Sequence, residues 1–321
     1  MTHAFALAGG LDALARPAHA GVAPRDRLAG AVLVGVGVVL SAGALAASLA
    51  SDAPLEVRAL AAFLNALIIL VPIGVGRYAA RRESHRRFGR QLIAAGFISS
   101  TAALAQADLS LPYSIAMIGG WLVILIVVFL VLSYPSGRLA TNLDRGLFAA
   151  AVLLVCVLYL PTALLVDGYP AQTPWSSCRV VCPANALMLV DEQPAFIDAW
   201  LVPAREAFTV AVLLGVLGTL AGRVRRATYL ERRTLTPVLV AAAVMLKSLA
   251  VWLVAHRTSP DAPAVDMLGW LFALCIPALA IGFLVGLMRW QVYVAHALER
   301  LTVAMRRQIA PEELRNTLAR A

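Results

Sequence analysis

The chain alternates between long apolar stretches and short connectors in which arginine is the dominant polar residue. A membrane-spanning helix takes about 20 apolar residues. Eight stretches approach that length: 28–50, 59–76, 91–106, 114–134, 146–166, 204–221, 236–255 and 267–288. Basic residues crowd into every second connector. Arg16, Arg25 and Arg27 precede the first stretch; Arg77, Arg81, Arg82, Arg86, Arg87 and Arg90 follow the second; Arg138 and Arg145 follow the fourth; and Arg223 to Arg233 follow the sixth. With the tail included, 22 of the 27 Lys and Arg residues lie on one side. Cytoplasmic loops carry that excess in membrane proteins. The pattern therefore predicts an all-α integral membrane protein, a bundle of about eight transmembrane helices with both termini in the cytoplasm, seated in the plasma membrane.

The same pattern sets the boundaries. Residues 1–27 form a flexible cytoplasmic leader: a secretory signal needs a basic start and an unbroken apolar core, and this segment has no early basic residue and is interrupted by Asp12. Residues 28–288 are the membrane domain, 289–309 a cytoplasmic helix, and 310–321 the start of a further cytoplasmic domain. One connector, 167–203, exceeds the 12–15 residues beyond which a loop is commonly functional or disordered. Its Trp175, two cysteines, Asn185 and the apolar run 186–190 argue for order on the extracytoplasmic side.

Composition agrees. Hydrophobic residues make up 61% of the chain, against about 45–50% in soluble domains, and mean hydropathy is +0.81. The formal charge of +9 would suit nucleic acid only if the arginines shared one folded face. Here they punctuate spans, so the bilayer and its anionic headgroups are the partner they imply.

Candidate chemistry is sparse. Cys178 and Cys182 share the long loop in a compartment that permits disulfides; a disulfide stapling the loop tip, free thiols and a metal site are the three readings, and a metal would need two further ligands. Cys156 and Cys275 fall inside spans, where a thiol behaves as a small apolar residue. Lys247, the chain's one lysine, lies within the seventh stretch. It either faces the bundle or a wet cavity, as intramembrane charges usually do, or snorkels outward. Asn65, in the second stretch, is either a ligand contact or an interhelical hydrogen bond. No phosphate-binding loop, metalloprotease or nucleophile-elbow motif is present, and the five histidines have no ligand spacing. No catalytic, cofactor-binding or metal-binding residue is assigned.

Beyond the last span, Leu287, Val294, Leu298, Leu301 and Met305 follow a/d spacing. They predict a helix that continues for about five turns with a sticky seam. A break at Ala310-Pro311 is followed by Glu312 and Glu313, a helix-starting signature.

Several of these motifs, in this order, resemble the multi-span sensor regions of actinobacterial-type two-component histidine kinases. Tyr134-Pro135-Ser136-Gly137-Arg138-Leu139 looks like their cytoplasmic turn after the fourth span; Cys178…Cys182-Pro183-Ala184-Asn185 is similar to their extracytoplasmic loop. Arg232-Arg233 with Pro237-Val238-Leu239 opens a span in the same manner, and Pro311-Glu312-Glu313-Leu314-Arg315 resembles the helix that starts their cytoplasmic portion. The likeness covers about 110–321 and lacks the phosphoacceptor histidine and nucleotide boxes. It implies the input half of a sensor kinase: a homodimer that passes a stimulus to a kinase domain not in this chain. ATP, magnesium and a response regulator would belong to that domain. The alternative is a small-molecule transporter or permease. On local chemistry, Pro135 and Gly137 predict a tight type I turn, with Arg138 anchoring it at the cytoplasmic face.

Overall fold

The computed structural model describes residues 24–50, 55–107, 109–169, 182–227, 229–259 and 262–306. Among these it is helical without a strand: α1 (Pro24–Leu49), α2 (Leu55–Ala80), α3 (Arg86–Ala102), α4 (Ser110–Ser133), α5 (Asn142–Leu154), α6 (Leu160–Leu165), α7 (Val202–Arg226), α8 (Tyr229–Thr258) and α9 (Pro263–Arg306). The chain divides into two compact units, 1–36 and 37–321. Within the first, residues 24–36 are the opening turns of α1. All packing described below belongs to the second.

Seven helical segments of the described residues are long and apolar enough to cross a membrane: 30–49, 57–80, 110–133, 142–165, 197–226, 236–258 and 263–289. The expected span at 91–106 does not qualify by itself. It is the 17-residue α3 followed by a 3-10 turn, Ala103–Gln106, and it carries Arg90, Gln91, Ser99, Ser100 and Thr101. Close backbone contact holds α3 in addition to its buried Phe88, Leu92 and Ala95. A Cβ on Gly89 would lie 2.4 Å from the Ala80 nitrogen and 2.6 Å from the Gly76 oxygen, and one on Gly96 would lie 2.9 Å from the Ile69 oxygen. Helices in lipid associate through such small-residue contacts, because lipid tails offer no hydrophobic drive to pack. Of the span-two glycines, Gly76 takes part in this approach, while Gly74 has open space around it. The hydroxyls of Ser99, Ser100 and Thr101 are returned to the helix's own carbonyls at 2.8, 2.7 and 2.7 Å.

The helices of the second unit neighbour one another in a closed order: α4, α3, α2, α9, α8, α7, α5 and back to α4. One hydrophobic core, drawing on Tyr113, Met117, Leu213, Met245, Phe272 and Phe283, runs between them. Their ends define two faces. The arginine face carries the α2–α3, α4–α5 and α7–α8 connectors; the loop face carries the ordered residues 182–196.

Two wide π turns interrupt the regular helices, Val155–Tyr159 before α6 and Ile197–Leu201 before α7. Each ends two residues before a proline, Pro161 and Pro203. Proline has no N–H to give the carbonyl four residues back, and its ring clashes with that carbonyl. A widened turn relieves both problems, and such bulges re-aim side chains within a helix.

Candidate functional site

Both faces carry a built polar cluster. On the loop face the centre is Asn185. Its amide nitrogen donates to the Ala163 and Val166 carbonyls at 2.6 and 2.8 Å, and its oxygen accepts from Tyr169 Oη at 3.0 Å and the Leu187 N–H at 2.9 Å. The next residue's N–H donates to Ser114 Oγ at 3.0 Å. One side chain thus ties the loop to the ends of α4 and α6, satisfying carbonyls that a helix C-terminus leaves open. The Tyr169 phenol is pushed above its ordinary value, chiefly by burial, with the Ser114 side chain acting in the opposite direction.

From Tyr169 an aromatic chain leads inward: Tyr169 to Trp121 at 6.4 Å, then Trp121 to Tyr159 at 4.8 Å. Tyr159 donates to, or accepts from, Thr209 Oγ1 at 2.9 Å. The Arg205 guanidinium stacks on the Tyr159 ring, 4.6 Å from its centroid. Arg205 is only 2% exposed, the largest of the fully buried side chains. Glu206, beside it, pairs with Arg257 of α8 at 2.8 Å instead. Below Tyr159 and Thr209 lies an apolar cavity of about 40 Å³, walled by Val128, Ala151, Leu154 and Leu213.

On the arginine face the Tyr134–Leu139 segment does form a turn, but not type I. The Tyr134–Pro135 bond is cis and Gly137 has φ +69°. The Gly137 N–H bonds the Ser133 carbonyl at 2.9 Å, one residue further back than in a β-turn. The turn seats on α3: Gln91 Nε2 donates to the Gly137 carbonyl at 3.0 Å, and a Cβ on Gly137 would meet the Phe88 nitrogen at 2.9 Å. Three rings fill the space beneath it, Phe88–Tyr134 at 5.4 Å, Phe88–Phe283 at 4.9 Å and Tyr134–Phe283 at 5.0 Å. Burial raises the Tyr134 phenol to about 12. His85 faces the Pro135 carbonyl; burial nevertheless lowers its imidazole below the ordinary value, the carbonyl acting in the opposite direction.

Beside the turn, Thr141 and Asp144 form a reciprocal capping box at the start of α5. Asp144 also pairs with Arg223 of α7 at 2.8 Å, and Arg223 donates to the Leu132 carbonyl at 2.7 Å. Three helix ends are clamped by three side chains and the Leu132 carbonyl.

The residues singled out from sequence fare differently. Asn65 makes the interhelical hydrogen bond, donating to Ser48 Oγ at 3.0 Å; in a membrane such a bond contributes about 0.6 kcal/mol on average. Lys247 does not face the bundle: it is exposed, between buried Leu246 and Ser248, as the snorkelling alternative requires. Cys182 is disulfide-bonded, Cys178 lies outside the described residues, and Cys156 and Cys275 are free. Leu287 is buried on α9. Val294, Leu298, Leu301 and Met305 fall on the continuing helix, their side chains outside the described set, as are 1–23 and 307–321. Arg205 was visible in the sequence only as one of the few basic residues on the sparse side. A sharper signal was the adjacent pair Arg205-Glu206 inside an apolar stretch.

Compared with family models, with curated proteins and with solved structures, the chain matches none.

Proposed function

We propose that this chain is the membrane input module of a two-component sensor kinase, relaying a stimulus along α9 to a kinase domain that it does not itself contain. The observation that carries the reading is the continuity of α9. It runs unbroken for 44 residues, about 66 Å at 1.5 Å per residue, and leaves its membrane segment at Arg289 with some five turns still to go. Phe283, near that exit, packs on both Phe88 and Tyr134. A rotation or a one-turn slide of α9 must therefore repack the ring cluster under the Tyr134–Leu139 turn, and packed clusters of this kind favour two discrete arrangements over a continuum. A transporter has no use for such an exit. The motif resemblance supplies the remaining specificity: a homodimer joined along Val294, Leu298, Leu301 and Met305, a plasma-membrane location, and ATP, magnesium and a response regulator acting at the kinase domain.

In this reading α3 is the eighth crossing, short and polar because α2 and α4 shelter it, and both termini are cytoplasmic. Reporter fusions at Arg86 and Arg226 should read cytoplasmic and fusions at Asp167 and Pro260 external; any reversal removes the eight-span topology.

The relay itself is tested by joining residues 1–306 to the catalytic core of a sensor kinase through one to seven added alanines. Each residue turns the helix by about 100°, so autophosphorylation should rise and fall with a period near 3.6 residues. Output independent of insert length overturns the relay.

A further inference from the structure

We propose that Arg205 is the head-group site for an oxyanion, a carboxylate or a phosphate, entering from the loop face. A cation inside a span costs about 2.5–3.5 kcal/mol on insertion scales, and buried charges are normally paired. Arg205 is buried to 2% exposure without a carboxylate of its own. Its Nε is sealed from solvent and has no hydrogen-bond partner among the described residues. Glu206, the next residue and an acid within its electrostatic reach, is committed to Arg257 at 2.8 Å.

Stacking on Tyr159 at 4.6 Å occupies a face of the guanidinium. It does not use the N–H groups, which point outward in the plane of the fork. Five donors in that plane match a pair of anionic oxygens, which is why arginine is the usual residue for carboxylate and phosphate. Tyr159 is itself held, by Trp121 on one side and by its Thr209 hydrogen bond, so the fork is fixed in direction before any ligand arrives. Preorganisation of this kind lowers the ordering cost of binding.

A second sealed nitrogen lies close by. His256, on α8, stacks on Trp252 with ring centroids 4.9 Å apart, and its Nδ1 is also buried without a partner among the described residues. Glu206 is within electrostatic reach of both Arg205 and His256. With Arg205, Arg257 and Glu206 counted together, the cluster carries one uncompensated positive charge. Arg257 is the more open member of its pair, its side chain 50% exposed against 15% for Glu206. Two sources offer an oxyanion there, a soluble anion from outside and the headgroup of an anionic lipid in the adjacent leaflet.

The test uses the whole chain in nanodiscs of phosphatidylcholine, with binding followed by tryptophan fluorescence. One arm titrates inorganic phosphate and acetate; the other replaces the neutral lipid stepwise with phosphatidylglycerol. A saturable response in the first arm assigns a soluble anion, and one confined to the second assigns the lipid headgroup. In the responding arm Arg205→Gln should weaken binding at least about tenfold, the scale of one charged hydrogen bond. Arg205→Lys keeps the charge but not the fork and should fall between the two; it decides the matter if Arg205→Gln does not fold. No saturable response in either arm, or equal affinity in the folded variant, overturns the proposal. No kinase takes part in this measurement, so the site stands or falls independently of the signalling role.

Discussion

Removing Arg223 tests the clamp that joins α4, α5 and α7 at the arginine face. The Asp144 side chain is 2% exposed and that of Arg223 is 27% exposed. Arg223→Met leaves a buried carboxylate with one donor, the Thr141 N–H of the capping box at 3.0 Å. Breaking a buried pair from one side costs about 3–5 kcal/mol. The capping bond survives, and the α5 N-terminus favours a negative charge by about 0.3–1 kcal/mol, so the lower end, about 3 kcal/mol, is expected here. Asp144→Asn is the contrasting case. Its amide oxygen still accepts from Thr141, while Arg223 keeps the Leu132 carbonyl at 2.7 Å and enough exposure to rehydrate; about 1 kcal/mol is expected, the worth of one hydrogen bond. The double variant should recover much of the Arg223→Met loss, giving a coupling energy above about 1 kcal/mol. Equilibrium unfolding in mixed micelles measures all three. If Asp144→Asn costs as much as Arg223→Met, or if the coupling is below about 0.5 kcal/mol, the clamp reasoning is wrong.

Three further outcomes follow from the geometry. Gly137→Ala combines φ +69° with a Cβ 2.9 Å from the Phe88 backbone, so it should lower stability by about 2–4 kcal/mol in the same assay; a neutral result would mean that the turn is not seated on α3. Lys247→Met should change stability by less than about 0.5 kcal/mol because the side chain is exposed, whereas Asn65→Leu should cost about 0.6 to 1.7 kcal/mol; the reverse order would place Lys247 inside. Because His85 is held below its ordinary value in the folded state, unfolding takes up a proton there as pH falls through the unfolded value near 6.5. Stability should decline as pH falls from 7.5 to 5.5, and part of that decline should vanish in His85→Gln; an unchanged pH slope would count against the buried imidazole.

The apolar helices were legible in the chain because they rest on local chemistry. Apolar length sets a span without reference to any neighbour. The long exit helix and the site of a turn at Pro135 were legible for the same reason. Its geometry was not: the type I expectation failed because the turn's shape is imposed by Gln91 and Phe88 of α3, some 45 residues away in sequence. The π turns before Pro161 and Pro203 were not read from the sequence, and only the packed structure brings Tyr159 and Arg205 together. Nor did the apolar pattern identify α3 as a packed helix held by Gly89 and Gly96.

The contrast between Lys247 and Arg205 shows what tertiary structure alone decided. In a soluble protein the apolar stripe of a helix marks its buried face. Here lipid is as apolar as the core, so both faces of a span look alike in sequence, and a single charge carries no mark of the face it occupies. The conspicuous lysine lies outside the bundle, and the inconspicuous arginine lies within it. Which one is buried depends on the rotation of each helix against its neighbours, and that rotation is set by close contacts between segments that are remote along the chain.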